Sequence, residues 1–129
     1  MKFQPDNAGA ASITGYGPGW IAIGPERITH SLLLDASGHR ADWHCSRFDQ
    51  LSPAHFEQIA THAPELVIFG SGDQLRFPKT PWVRSLIEAG IGVETMDTPA
   101  ACRTYNILAG EGRRVLAALL LEPPAQTVG

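Results

Sequence analysis

Leu66-Val67-Ile68-Phe69-Gly70-Ser71-Gly72-Asp73 is the stretch on which the reading of this sequence turns. Four apolar residues without polar alternation read as a strand covered on both faces, the habit of a parallel sheet. The glycines that follow suit a strand exit that needs positive φ. Downstream, Ile91 to Met96 and Val115 to Leu121 repeat the short apolar pattern, with helical periodicity between them. From residue 65 onward the order is strand, helix, strand, helix, strand, which predicts a partly parallel sheet with helices on its faces.

Three dipeptides mark the helix starts: Ser52-Pro53, Thr80-Pro81 and Thr98-Pro99. Each is expected to put a hydroxyl at the N-cap and proline at the first helical position, where its missing N–H does no harm. Phe56, Ile59, Ala60 and Ala63 share one helical face. Trp82, Val83, Leu86 and Ile87 share a second, with Gly90 as the stop. Ala101, Tyr105 and Leu108 follow i, i+4, i+7 spacing, ended by Gly110.

Upstream of residue 52 the pattern is β. Ser12 to Tyr16, Trp20 to Ile23 and a longer run, Arg27 to Leu34, are separated by Gly17-Pro18-Gly19 and Gly24-Pro25. Asp35 to Gly38 reads as a turn, and Arg40 to His44 as the returning arm of a hairpin. The expected fold is therefore α/β, with an N-terminal antiparallel meander, a C-terminal β-α-β-α-β unit and a central mixed β-sheet.

The 129 residues suit one domain, 1–129, with an ordered core of about 10–122 and a flexible tail, 123–129. At 43% hydrophobic residues the chain can build a core without disulfides or metal. A net charge of −3, with eight Arg and two Lys scattered singly except for Arg113-Arg114, leaves no footprint for nucleic acid. That pair reads as a solvated strand start. The first residues lack the apolar core of a secretory signal and carry an early acid, and no apolar run approaches the ~20 residues of a membrane span. A cytoplasmic, bacterial protein without a transmembrane segment is expected.

Ligands of open α/β sheets bind beyond the carboxyl ends of parallel strands. Two such ends, Gly70-Ser71-Gly72-Asp73 and Met96-Asp97-Thr98-Pro99, define a candidate ligand-binding cleft. Its candidate residues are Gly70, Ser71, Gly72, Asp73, Asp97, Thr98, Arg103 and Asn106. Free N–H groups there could hold an anion, and Asp73 facing Asp97 would suit acid–base work. The plainer alternative is a strand exit with a dipole-favoured acid at a helix start. The turn is no dinucleotide fingerprint: Leu75 stands where the third glycine belongs, and Phe77-Pro78 delays the helix. Ser71 lacks the context of a nucleophile elbow. Cys102, beside Arg103 near a helix start, is either a low-pKa thiol or a small core residue. His39, His44, Cys45 and Cys102 fit no metal-ligand spacing. No metal, cofactor or catalytic set is expected.

Phe69-Gly70-Ser71-Gly72 with Phe77-Pro78, Gly90 to Thr98, Ala100-Ala101-Cys102-Arg103-Thr104-Tyr105-Asn106 and Glu111 to Leu119 together resemble one family. It is the domain of unknown function shared by small bacterial and archaeal proteins and by mitochondrial respiratory complex I assembly factor three. The resemblance covers about residues 10–122. It implies a three-layer fold around a mixed sheet and, for the mitochondrial members, an assembly role made of protein contacts without assigned catalytic residues. The family commonly has threonine where Ser71 stands. Two readings follow: a non-catalytic interaction module with one or more protein partners, whose exposed apolar patch could include Trp20 or Trp43, and a small-molecule or anion-binding protein that uses the cleft.

Overall fold

The computed structural model describes residues 12–124. Among these residues there are eight strands: β1 (Ile13–Gly17), β2 (Trp20–Ile23), β3 (Glu26–Ile28), β4 (Leu32–Asp35), β5 (Arg40–Asp42), β6 (Leu66–Gly70), β7 (Gly92–Met96) and β8 (Val115–Leu119). Three α-helices accompany them: α1 (Pro53–Ala60), α2 (Thr80–Glu88) and α3 (Thr98–Gly110). A 3₁₀ turn covers Phe48–Gln50. The residues of the expected tail beyond 124, and residues 10 and 11 of the expected core, lie outside the described residues.

β8 lies at the centre of a five-stranded mixed sheet of order β5-β4-β8-β6-β7. It pairs parallel with β6 and antiparallel with β4, and β7 pairs parallel with β6 at one edge. All five β8 residues are buried, so the absence of alternation in Val115 to Leu119 has its cause: both faces are covered. Side chains alternate between two cores. Leu33, Val67, Phe69, Leu116 and Ala118 face α1 and α2, where Trp43, Phe56, Ile59, Trp82, Val83 and Leu86 close the layer. Leu32, Leu34, Ile68, Ala117 and Leu119 face α3, through Ala101, Cys102 and Tyr105. The result is the three-layer α/β fold with a central mixed sheet. Each fully buried large side chain of these cores contributes ~1.5–3 kcal/mol.

The first half departs from one continuous meander. Arg27 to Leu34 is not one strand. The chain bends after Ile28, so that β3 completes a separate antiparallel sheet, β1-β2-β3, and β4 enters the central sheet. Ile13, Ile21 and Ile28 of the small sheet join the α3 side core, and this burial rewards the bend. The Asp35 turn and the β4–β5 hairpin form as expected, with the Asp35 carboxylate accepting from Ser37 Oγ at 2.6 Å and from the His39 N–H at 3.1 Å.

The helix starts follow expectation at α1 and differ from it at α2 and α3. Ser52 caps α1, its N–H donating to His55 Nδ1 at 3.2 Å. For α2 and α3 the cap falls one residue earlier, on Lys79 and Asp97, because Lys79 O accepts the Trp82 N–H and the Asp97 carboxylate accepts the Ala100 N–H. Ala63 lies beyond α1, in a turn with φ 49°. Ile87 is 61% exposed rather than core. Trp43 is 1% exposed: its rings meet Phe56 and Phe69 edge-on, and its Nε1 donates to His55 O at 3.0 Å. It is a core residue and no part of a surface patch. Trp20 is half-buried under the Arg27 guanidinium, 3.8 Å from the ring centre.

Candidate functional site

The carboxyl ends of β6 and β7 lie side by side, with Gly70 paired to Met96. From β6 the chain leaves toward α2 on one face, and from β7 toward α3 on the other. Such a divergence opens a crevice in many α/β sheets. Here the chain's own groups close it. The Ser71 N–H donates to Met96 O at 2.9 Å, and the Thr98 N–H to Gly72 O at 2.8 Å. Thr98 Oγ1 accepts from the Gly72 N–H at 2.8 Å and donates to Leu120 O at 2.9 Å. Ser71 Oγ donates to Gln74 O at 2.7 Å and accepts from the Arg76 N–H at 2.9 Å. Both hydroxyls are buried. Space is as tight as bonding: a Cβ at Gly70 would stand 3.0 Å from Thr98 Cα, Thr98 Oγ1 and Ala101 Cβ.

The first turn of α3 is equally complete. The Thr98 N–H meets Gly72 O, Pro99 has no N–H, the Ala100 N–H meets the Asp97 carboxylate at 2.8 Å, and the Ala101 N–H meets Asp97 O at 2.9 Å. The donors that a helix start offers an anion are thus engaged inside the protein.

The eight candidate residues therefore fall into three places. Gly70, Ser71, Gly72 and Thr98, with Asp97 as cap, form the closed strand ends. Asp73 is exposed and opens onto a polar recess of about 660 Å³, together with Ser46, Arg47, Gln74, Arg76 and Glu122. Arg103 and Asn106 turn to the small sheet. Arg103 Nη1 donates to the Tyr16 hydroxyl at 2.8 Å, while Asn106 donates to Ile13 O at 2.8 Å and accepts from the Ile13 N–H at 2.9 Å. Asn106 thereby binds β1 to α3 through both backbone groups of one residue.

Arg76 and Glu122 organise the recess, and neither was marked by sequence spacing. Arg76 Nη2 donates to Glu122 Oε1 at 2.5 Å and to Ser71 O at 2.6 Å, and its guanidinium lies 4.7 Å from the Phe48 ring centre. Glu122 Oε2 accepts the Phe48 N–H at 2.9 Å. Arg76 Nε is buried without a hydrogen-bond partner. These two residues are 46 positions apart, a separation that leaves no local signature. At the opposite end of the sheet, exposed Arg113 pairs with Glu65 at 3.5 Å, and the Arg114 N–H bonds the same carboxylate at 3.0 Å.

Cys102 is fully buried, and burial pushes its thiol up to about 12, with Arg103 opposing only weakly. It is a neutral core residue at physiological pH and not a low-pKa thiol. Cys45 is also buried, its thiol raised by burial. Among the described residues no three His, Cys, Asp or Glu side chains gather to hold a metal. No helix among them is long and apolar enough to cross a membrane.

These features define a three-layer α/β domain whose parallel strand ends are closed by their own hydrogen bonds. The chain belongs to the family described as protein of unknown function (DUF498/DUF598), whose model matches residues 13–120. It is 39% identical over 123 residues to an uncharacterised protein of Rhodobacter capsulatus, covering 95% of this chain and 94% of that one. It is 34% identical over 87 residues to NADH dehydrogenase [ubiquinone] 1 alpha subcomplex assembly factor 3 of Bos taurus, covering 66% of this chain but only 47% of the assembly factor. Among solved structures, a Mth938-like domain protein of Bordetella pertussis superposes with a TM-score of 0.80 at 33% identity, over 95% of this chain and 93% of that one. The relationship to complex I assembly factors implied by the sequence motifs is thus present.

Proposed function

We propose that this chain is a non-catalytic interaction module, working in the bacterial cytoplasm, that assists the assembly of a respiratory complex or another membrane-protein complex. The observation that carries this reading is the similarity to complex I assembly factor 3 over two-thirds of the chain. The closed ends of β6 and β7 support it, since the crevice between these two strands is taken up by Thr98, Ser71 and their backbone partners. The test is deletion of the gene in its native cell, with complex I measured on native gels, and affinity purification of the tagged chain. The expected result is a fall in assembled complex and co-purification of its subunits or of another assembly protein. Normal complex levels together with no co-purifying subunit would overturn the proposal.

A second reading, binding of a small polar ligand, is favoured by one observation: the buried, unpartnered Arg76 Nε behind the recess that Asp73 lines. A ligand held there raises the melting temperature, by an amount that grows with the logarithm of its concentration over its Kd. Screening phosphate, carboxylates and amino acids by thermal shift tests it, and a flat response sinks it.

A further inference from the structure

Among the described residues β7 is an edge strand of the central sheet, and its outward side carries backbone groups without a partner. In a parallel strand the N–H and C=O of one residue point to the same neighbour, and the direction alternates along the chain. The Gly92 N–H reaches Glu65 O at 3.3 Å, and Met96 O receives the Ser71 N–H at 2.9 Å, so Gly92, Glu94 and Met96 point toward the β6 side. Val93 and Thr95 therefore direct their N–H and C=O groups away from the sheet.

The opposite edge is protected differently. β5 is three residues long, Arg-Ala-Asp, and its Arg40 is tied to Glu26 at 2.5 Å. Short, charged edges of this kind discourage pairing. β7 has five residues, no proline, and one charge, the exposed Glu94. Beside it runs a groove of about 500 Å³ lined by Phe77, Pro78, Val83, Ile87, Val93 and Thr95 among others, none of them charged. Phe77 is 68% and Ile87 61% exposed.

The geometry points to strand addition: β7 is a docking edge for an extended segment of a partner protein, with apolar side chains on its α2 side and a lysine or arginine opposite Glu94. The apolar requirement comes from the groove. The basic requirement comes from Glu94, which has no cation within ion-pair distance among the described residues. The same charge argues against a second copy of this chain as occupant. Symmetric antiparallel pairing of β7 with itself about its centre sets Glu94 against Glu94, and like charges directly opposite are destabilising. Main-chain bonds to Val93 and Thr95 would supply affinity and the groove specificity, as in other strand-addition complexes. Only the identity of the partner rests on the proposed assembly role.

The test titrates the full-length chain, followed by NMR, with a blocked octapeptide of alternating valine and lysine, and with a valine–glutamate peptide as control. Resonances of Phe77, Ile87, Val93 and Thr95 are expected to shift, and the lysine peptide to bind about fivefold tighter than the glutamate one. Glu94→Lys is expected to reverse that preference. Thr95→Pro removes an outward N–H without touching the bonds to β6, a placement edge strands tolerate, and is expected to abolish binding. Ile87→Lys serves the same purpose from an exposed helix position, should the proline variant fold poorly. Unchanged peptide binding by Ile87→Lys and Thr95→Pro, no binding to the wild-type chain, or a concentration-dependent dimer lost in Thr95→Pro would overturn strand addition. Each of those results leaves the assembly role to be decided by co-purification of complex I subunits.

Discussion

The carboxyl ends of β6 and β7 and the outer edge of β7 are neighbours, yet they are finished in opposite ways. At the strand ends the backbone groups of Gly70, Ser71, Gly72 and Thr98 find partners within the chain, and two hydroxyls complete the set. At the edge, Val93 and Thr95 face outward beside exposed Phe77 and Ile87. A polar loop with two glycines looked like the place for a ligand, and an apolar strand like the place for a core. The loop's backbone groups bond within the chain, while those of Val93 and Thr95 turn outward. A buried polar group must be satisfied, so chemically suggestive residues at a tight turn are readily absorbed by the fold. An edge strand has no such obligation and keeps its bonding capacity available.

This contrast can be broken by mutation. Thr98→Val should have the largest effect, because it keeps the shape while leaving the buried Gly72 N–H and Leu120 C=O without their partner. A loss of about 3 kcal/mol in urea denaturation is expected. A near-neutral result would mean that the strand ends are looser than their geometry implies and could admit a ligand. Gly70→Ala should cost about 2 kcal/mol, since the new methyl meets Thr98 backbone at 3.0 Å. Asp97→Ala removes the α3 cap and should lower stability by about 1 kcal/mol. Ile87→Lys, at the edge, should change stability by less than about 0.5 kcal/mol. A large loss there would show that Ile87 belongs to the core and not to a surface kept for a partner.

What the sequence disclosed follows the range of each interaction. The β6–α2–β7–α3–β8 order was legible because it rests on local periods and on Thr-Pro pairs in the first helical turn, although the caps themselves fall one residue earlier, on Lys79 and Asp97. The full burial of β8 was legible from its unbroken apolar run. The division of Arg27 to Leu34 between two sheets was not, since Ile28 and Leu32 look alike whichever sheet receives them. Ile87 shared a helical face with Leu86 and Val83, and periodicity alone could not reveal that the layer ends before it reaches that position. Of the candidate site, the nearness of the 70–73 turn to Thr98 was readable from the topology of adjacent parallel strands. The direction of Arg103 and Asn106 toward Tyr16 and Ile13 was not, because the small sheet that receives them is assembled from residues some ninety positions away. The Arg76–Glu122 pair was hidden for the same reason.

The central position of β8 also bears on how the chain acquires its structure. The strand that joins β4 to β6 is the last of the described strands, and its two neighbours begin at residues 32 and 66. Until Val115 to Leu119 has been synthesised, β4 with β5 and β6 with β7 are separate pieces, each exposing an apolar flank. Closure must wait for long loops to be brought together, which slows folding. Before residue 115 emerges during translation, the β4–β5 and β6–β7 segments have no strand to join them. Truncation just before residue 115 should yield an insoluble product rather than a smaller version of the fold.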